Sequence, residues 1–148
     1  MNRYLVDTNI FLYARGKDHP YRESCRAALR AAGDGQVGLE CSVELVQEFA
    51  HVLLRREIDR ASALQQVDEV RGQCRIHAFG AEVLAQTVTL LREHEPLGVR
   101  DAVHLATALQ AGITLILSTD RVFDDAAHVQ RIDPAAQDAP WATAPNGH

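Results

Sequence analysis

Short apolar runs alternate with amphipathic stretches along the 148 residues, the pattern of a chain that lays down strands and helices in turn. Tyr4-Leu5-Val6 reads as a strand that stops at the polar turn Asp7-Thr8-Asn9, which feeds Ile10-Phe11-Leu12-Tyr13. His19-Pro20 opens a helix to about Ala32, closed by Gly33-Asp34-Gly35. Gln36 to Cys41 reads as a second strand, and Ser42 is a good N-cap for a helix to about Arg56. The pattern then predicts a helix over about Ala61 to Gln73, a strand at Arg75 to Phe79, and a helix from Ala81 to Glu93 halted by Pro96 and Gly98. Asp101 is expected to start a further helix, which Gly112 ends. Ile113-Thr114-Leu115-Ile116-Leu117, apolar and β-branched, predicts a strand covered on both faces, ending at Ser118-Thr119-Asp120. Val129 to Ile132 forms a last strand before Asp133-Pro134.

This alternation defines an α/β domain over residues 1–134, with no repeat and no second domain. Residues 135–148 shift to Ala, Pro, Asn and Gly and form a tail, either loose or pinned to the body by Trp141. The 47% hydrophobic and 24% charged composition is that of an ordinary globular chain able to bury a core. No apolar run reaches the roughly 18–20 residues that span a bilayer, and Asp7 interrupts the first apolar stretch, so no signal peptide is read. A cytoplasmic protein with no membrane partner is the expectation. Cys25, Cys41 and Cys74 are an odd number without C-x-x-C spacing, which argues for buried thiols instead of a disulfide framework. The net charge of −5 does not advertise nucleic-acid binding. Yet 14 of the 15 basic residues are arginine, the better bidentate phosphate ligand.

Ligands of open parallel sheets collect beyond the carboxyl ends of the strands, and Asp7 and Asp120 both follow strand ends. Each alone reads equally as a cap for the next helix, and Asp101 as a charge on a helix dipole. Glu48 is harder to dismiss. At about 100° per residue, it falls on the shoulder of the apolar arc Leu45, Val46, Phe49, Val52 and Leu53, while Glu44 lies about 40° nearer solvent. A carboxylate so placed needs a partner or a metal, and no basic residue is evidently at hand. Two carboxylates at about 4 Å repel by roughly 4 kcal/mol at an effective dielectric near 20. Four together would protonate or spread apart unless a divalent cation held them. All-oxygen ligation suits Mg²⁺ or Mn²⁺, and such sites activate water for in-line attack at phosphorus.

These segments resemble the PIN-domain family. Tyr4-Leu5-Val6-Asp7-Thr8-Asn9-Ile10 is similar to its opening, and Ser42-Val43-Glu44-Leu45-Val46-Gln47-Glu48-Phe49 to its Glu-bearing helix. Arg100-Asp101-Ala102-Val103-His104-Leu105-Ala106-Thr107-Ala108 is similar to its third acidic segment. Ser118-Thr119-Asp120-Arg121-Val122-Phe123-Asp124 and Arg131-Ile132-Asp133-Pro134 resemble its last. The likeness runs over about residues 3 to 134, nearest to the VapC-like toxins of bacterial toxin–antitoxin pairs. It implies a three-layer α/β/α sandwich around a mainly parallel sheet, and Mg²⁺- or Mn²⁺-dependent endoribonuclease activity. It also implies an RNA substrate, a homodimer and a cognate antitoxin. Carried over by position, Asp7, Glu48, Asp101 and Asp120 bind metal and catalyse, with Glu48 preferred to Glu44. Thr8 and Thr119 would orient those carboxylates or a bound water, with Asn9 and Asp124 behind them. The helix from Leu45 to Leu53 and the segment Phe11-Leu12-Tyr13 are the expected dimer and antitoxin faces. Arg15, Arg55 and Arg100 are candidate RNA-backbone clamps.

Other signals carry less. Gly33-Asp34-Gly35-Gln36-Val37-Gly38 has G-x-G-x-x-G spacing but follows a helix and enters a strand, the reverse of a dinucleotide loop. Of the seven histidines none shows zinc spacing; His104, three residues after Asp101, either touches the site or packs structurally. Two alternatives stay open. An aspartyl-phosphate phosphotransferase or phosphatase also places an Asp after its first strand, though the second Asp usual two residues on is Asn9 here. A catalytically silent module would keep the fold for binding alone.

Overall fold

The computed structural model describes residues 1–56 and 59–142. Five strands form one wholly parallel sheet in the order β3-β2-β1-β4-β5, with β1 Asn2–Val6, β2 Val37–Ser42, β3 Arg75–His77, β4 Leu115–Leu117 and β5 Gln130–Ile132. Parallel neighbours need crossovers. Helices α1 Thr8–Arg15 and α2 Arg22–Gly33 make the first. The second is α3 Val43–Arg55 with α4 Arg60–Gln73, and the third α5 Ala81–Glu93 with α6 Val99–Ala111. A short 3-10 turn, Arg121–Asp125, joins β4 to β5.

The side-chain period of two divides the core. Tyr4, Val6, Leu39, Cys41 and Leu117 join Phe11, Leu45, Phe49 and Leu53 on the α1–α4 side. Leu5 and Ile116 join Val83, Leu90, Leu105 and Phe123 on the other, under α5 and α6. Helices therefore cover both sheet faces, the three-layer sandwich expected, and β1 and β4 are buried from both sides. Trp141 is buried against Tyr4, ring centroids 5.5 Å apart, and its Nε1–H donates to the Pro134 carbonyl. Of the two states open to the C-terminal segment, residues 135–142 take the pinned one; residues 143–148 lie outside the described residues.

Three expectations need correction. Helix α6 begins at Val99 with Gly98 as N-cap, so Asp101 sits inside its first turn instead of starting it. Strand β4 is shorter than the apolar run Ile113 to Leu117. Gly112, at φ +69°, reverses the chain in the left-handed region where a side chain would be strained. That reversal commits the Ile113 N–H to the Ala108 carbonyl and away from the sheet. The proposed docking faces also shrink, because Phe11, Leu45, Phe49 and Leu53 are all core residues.

Candidate active site

The order of the sheet decides where a ligand could sit. From β1 the chain steps to β2 on one side and later returns to β4 on the other, leaving a crevice beyond the carboxyl ends of β1 and β4. Asp7 leaves β1 there, and Ser118-Thr119-Asp120 leaves β4. An open pocket of about 550 Å³ occupies the crevice, with Asp7, Glu48, Asp101 and Asp120 all in its wall beside Thr8, Asn9, Arg100 and His104. Side chains up to 113 positions apart in sequence thus share one cavity. Glu44 is not part of it.

Each carboxylate is held differently. Asp7 occupies the N-cap position of α1 but makes no side-chain capping bond, so the capping account of it fails. Its Oδ2 instead accepts a 2.6 Å hydrogen bond from Ser118 Oγ, and the Nε2 of the fully buried His104 stands 3.8 Å from Oδ1. Burial pushes the Asp7 carboxyl up; His104, Ser118 and the Thr8 N–H pull it back, and Glu48 adds to the rise. Asp101, in the first turn of α6, is pushed up to about 6, first by burial and then by the charges of Asp7, Asp120 and Glu48, against a smaller opposing effect of Arg100. Glu48 faces the pocket from α3 and is gripped on both oxygens: Thr8 Oγ1–H donates to Oε2 at 2.8 Å, and Arg100 Nη1 to Oε1 at 3.1 Å. The expectation that no basic residue attends the cluster is corrected by Arg100, although among the described residues Glu48 alone of the four acids is paired with an arginine. For Asp120 the capping account holds, since Oδ1 accepts from the Val122 N–H.

The supporting residues divide. Thr8 meets Glu48 through its hydroxyl hydrogen bond. Thr119 meets no carboxylate; its Oγ1 accepts from Asn9 Nδ2 at 2.9 Å, tying α1 to the end of β4. Asp124 is not brought to the pocket, its carboxylate being engaged by Arg131 at 2.6 Å. Among the arginines proposed as clamps, Arg15 is bound to Glu69 and only Arg100 borders the pocket. Ser118 was missed in the sequence. Its one available signal is that it closes β4 beside the strand that delivers Asp7.

Whether these acids suit a divalent cation turns on donor chemistry. The wall offers carboxylate oxygens with hydroxyl and amide neighbours, the hard donors that Mg²⁺ or Mn²⁺ takes. Among the described residues no three Asp, Glu, His or Cys side chains close on one point at ligating distance. The carboxylates instead face one another across the pocket, near enough that three of them raise the fourth. The donor set fits a divalent cation.

Comparison with known proteins places this arrangement in a class. The PIN-domain family model matches residues 4–129, and the chain belongs to the PIN-domain family. Among its relatives, Ribonuclease VapC7 of Mycobacterium tuberculosis (strain ATCC 25618 / H37Rv) is 34% identical over 134 residues, 89% of this chain and 92% of that protein. Ribonuclease VapC23 of the strain CDC 1551 / Oshkosh is 37% identical over 123 residues, 82% of this chain and 95% of that one. The same fold is seen in VapBC2 from Rickettsia felis bound to a DNA fragment from their promoter, with TM-score 0.69 and 18% identity over 88% of this chain and 97% of that chain. It recurs in Mycobacterium tuberculosis VapC20, a Sarcin-Ricin loop cleaving toxin, with TM-score 0.68 and 18% identity over 86% and 97%.

Proposed function

We propose that this protein is a Mg²⁺- or Mn²⁺-dependent endoribonuclease, the toxin of a toxin–antitoxin pair. The observation that carries the reading is the convergence of Asp7, Glu48, Asp101 and Asp120 on one open pocket, where burial and the neighbouring charges push the Asp101 carboxyl up. Relatives named as ribonucleases, over most of both chains, support the same reading. Asp7, Asp101 and Asp120 would hold the cation, with Glu48 completing its shell or orienting the attacking water. A divalent ion there would supply Lewis acidity, water activation and stabilisation of the displaced oxygens.

The chain's own residues prepare this. Ser118 fixes one oxygen of Asp7, and Thr8 keeps Glu48 turned inward. Arg100, with a side chain 66% exposed at the rim, is free to exchange Glu48 for an RNA phosphate once the acids are neutralised. The second aspartate usual two residues after the first in an aspartyl-phosphate enzyme is replaced here by Asn9, which lines the pocket. A silent binding module gains no specific support from a pocket that keeps all four acids.

We assign residues 1–134 to the nuclease domain and 135–148 to a tail. A cognate antitoxin is the proposed inhibitor; solved neighbours include VapBC complexes. The protein is proposed to act in the cytoplasm as a homodimer. No helix among the described residues is long and apolar enough to cross a membrane.

Purified protein incubated with total RNA, and mapping of the cleaved ends, tests the activity. Cleavage should require Mg²⁺ or Mn²⁺, stop with EDTA, and vanish in Asp7→Asn and Asp101→Asn, which should melt no lower than the unaltered protein in EDTA because crowded charge is removed. Undiminished cleavage by folded Asp7→Asn would contradict the proposal. Turnover of a small phosphomonoester lost with Asp7→Asn would favour the phosphotransferase instead.

A further inference from the structure

His104 is the buried titratable side chain of the pocket that the proposed chemistry leaves without a task. It lies on α6 three residues after Asp101, is 1% exposed, and borders the pocket. Neither Nδ1 nor Nε2 has a hydrogen-bond partner among the described residues. Burying polar atoms unpaired is costly, and an apolar side chain of similar size would avoid that cost. The ring is therefore retained at a place where packing alone would favour another residue. Its Nε2 faces Asp7 Oδ1 at 3.8 Å, about 0.9 Å beyond an ordinary hydrogen bond. The other oxygen of Asp7 is already taken by Ser118 Oγ–H.

We propose that His104 is a positioning residue for Asp7, its Nε2–H edge and the Ser118 hydroxyl holding the carboxylate between them in the orientation offered to a cation. This rests on the metal-binding reading above. A charged carboxylate only accepts hydrogen bonds, so the nitrogen facing it must carry a proton. Groups that orient ligating carboxylates govern metal affinity, and losing one costs roughly 10–100-fold. His104 never needs to touch substrate.

The test is binding of Mn²⁺ alone, by calorimetry, to the full chain, beside melting temperature in EDTA. His104→Leu should melt no lower than the unaltered protein yet bind Mn²⁺ at least about tenfold more weakly, and His104→Gln, which keeps an N–H donor, should recover part of the loss. A packing residue would give the opposite result: lower melting in both variants and Mn²⁺ affinity within twofold for any that fold. Nitrogen-15 spectra of the unaltered protein decide independently of folding. They should show a proton on Nε2 and a shift of the His104 ring signals on adding Mg²⁺; a ring protonated on Nδ1 alone and indifferent to Mg²⁺ would overturn the proposal. Mn²⁺ binding lost with Asp7→Asn but kept with His104→Leu would sink the positioning role alone. No Mn²⁺ binding by the unaltered protein would remove the metal reading and this one with it.

Discussion

Asp101 shares its surroundings with three other acids, and the consequence can be measured. In an unfolded chain its carboxyl would titrate near 3.9; in the fold it is raised to about 6. Between roughly pH 4 and 6 the folded protein therefore binds a proton that the unfolded chain does not. Metal-free stability should rise as pH falls from above 6 toward 4, and the gain should disappear as pH rises through 6. Asp7, raised mainly by burial, acts in the same direction. In EDTA the melting temperature should be higher at pH 5 than at pH 7.5, with the difference smaller in Asp101→Asn. In Mn²⁺ the order should reverse, because protons compete with the cation for the same oxygens. An EDTA profile identical in protein and variant would show that Asp101 is not crowded. Arg100 and His104 show what residue types alone conceal. The sequence offers Arg100 as a backbone clamp and leaves His104 open between touching the site and packing structurally. Only the fold reveals that one grips Glu48 and the other faces Asp7.

At the scale of elements, β2 carries the corresponding case outside the site. Glu40, 4% exposed in the middle of that strand, accepts from the Arg3 guanidinium, with Nη2 at 3.0 Å, and meets His77 Nε2 at 2.7 Å. The three side chains come from β1, β2 and β3 and hold adjacent strands together. The Arg3 hydrogen bond outweighs burial and lowers the Glu40 carboxyl to about 2, with His77 helping. A lowered folded pKa contributes stability above the ordinary glutamate range that is lost as pH falls toward 2. Glu40→Gln should thus melt lower at pH 7, with the deficit fading between about pH 4.5 and 2; equal melting at pH 7 would contradict the pairing. No sequence period announces such a contact, because its partners are 37 residues apart on either side. The elements themselves were legible wherever a period of two or 3.6 ran uninterrupted. Helix α5 matches its predicted span, and Ser42 caps α3 through the Glu44 N–H. Errors fell at ends, where a backbone group had two possible partners: Ile113 N–H went to the helix cap instead of the sheet, and Gly98 preceded Asp101 as the start of α6. The four acids were legible because each sits at a strand end, in a helix's first turn or on the edge of an apolar arc. Ser118 was not, because its contact with Asp7 exists only across space.

Over the whole molecule, a net charge of −5 and an acidic crevice would repel RNA unless cations changed the field the substrate meets. The sheet supplies the frame for that change. Its central strands β1 and β4 are buried on both faces and aim Asp7 and Asp120 from rigid elements, while α3 and α6 bring Glu48 and Asp101 over the same edge. Removing the frame should be costly: Phe49→Ala, which empties a fully buried site against Phe11, should lower stability by about 3–5 kcal/mol in denaturant unfolding. A loss under about 1 kcal/mol would mean that the α3 contact matters little to the core. The most direct measurement of the central claim is anomalous diffraction from crystals of the protein soaked in Mn²⁺. Manganese density is predicted in the crevice between Asp7, Asp101 and Asp120, and should be gone in Asp7→Asn. Saturating Mn²⁺ with no density there, or with density only at other acids of the surface, would contradict the account.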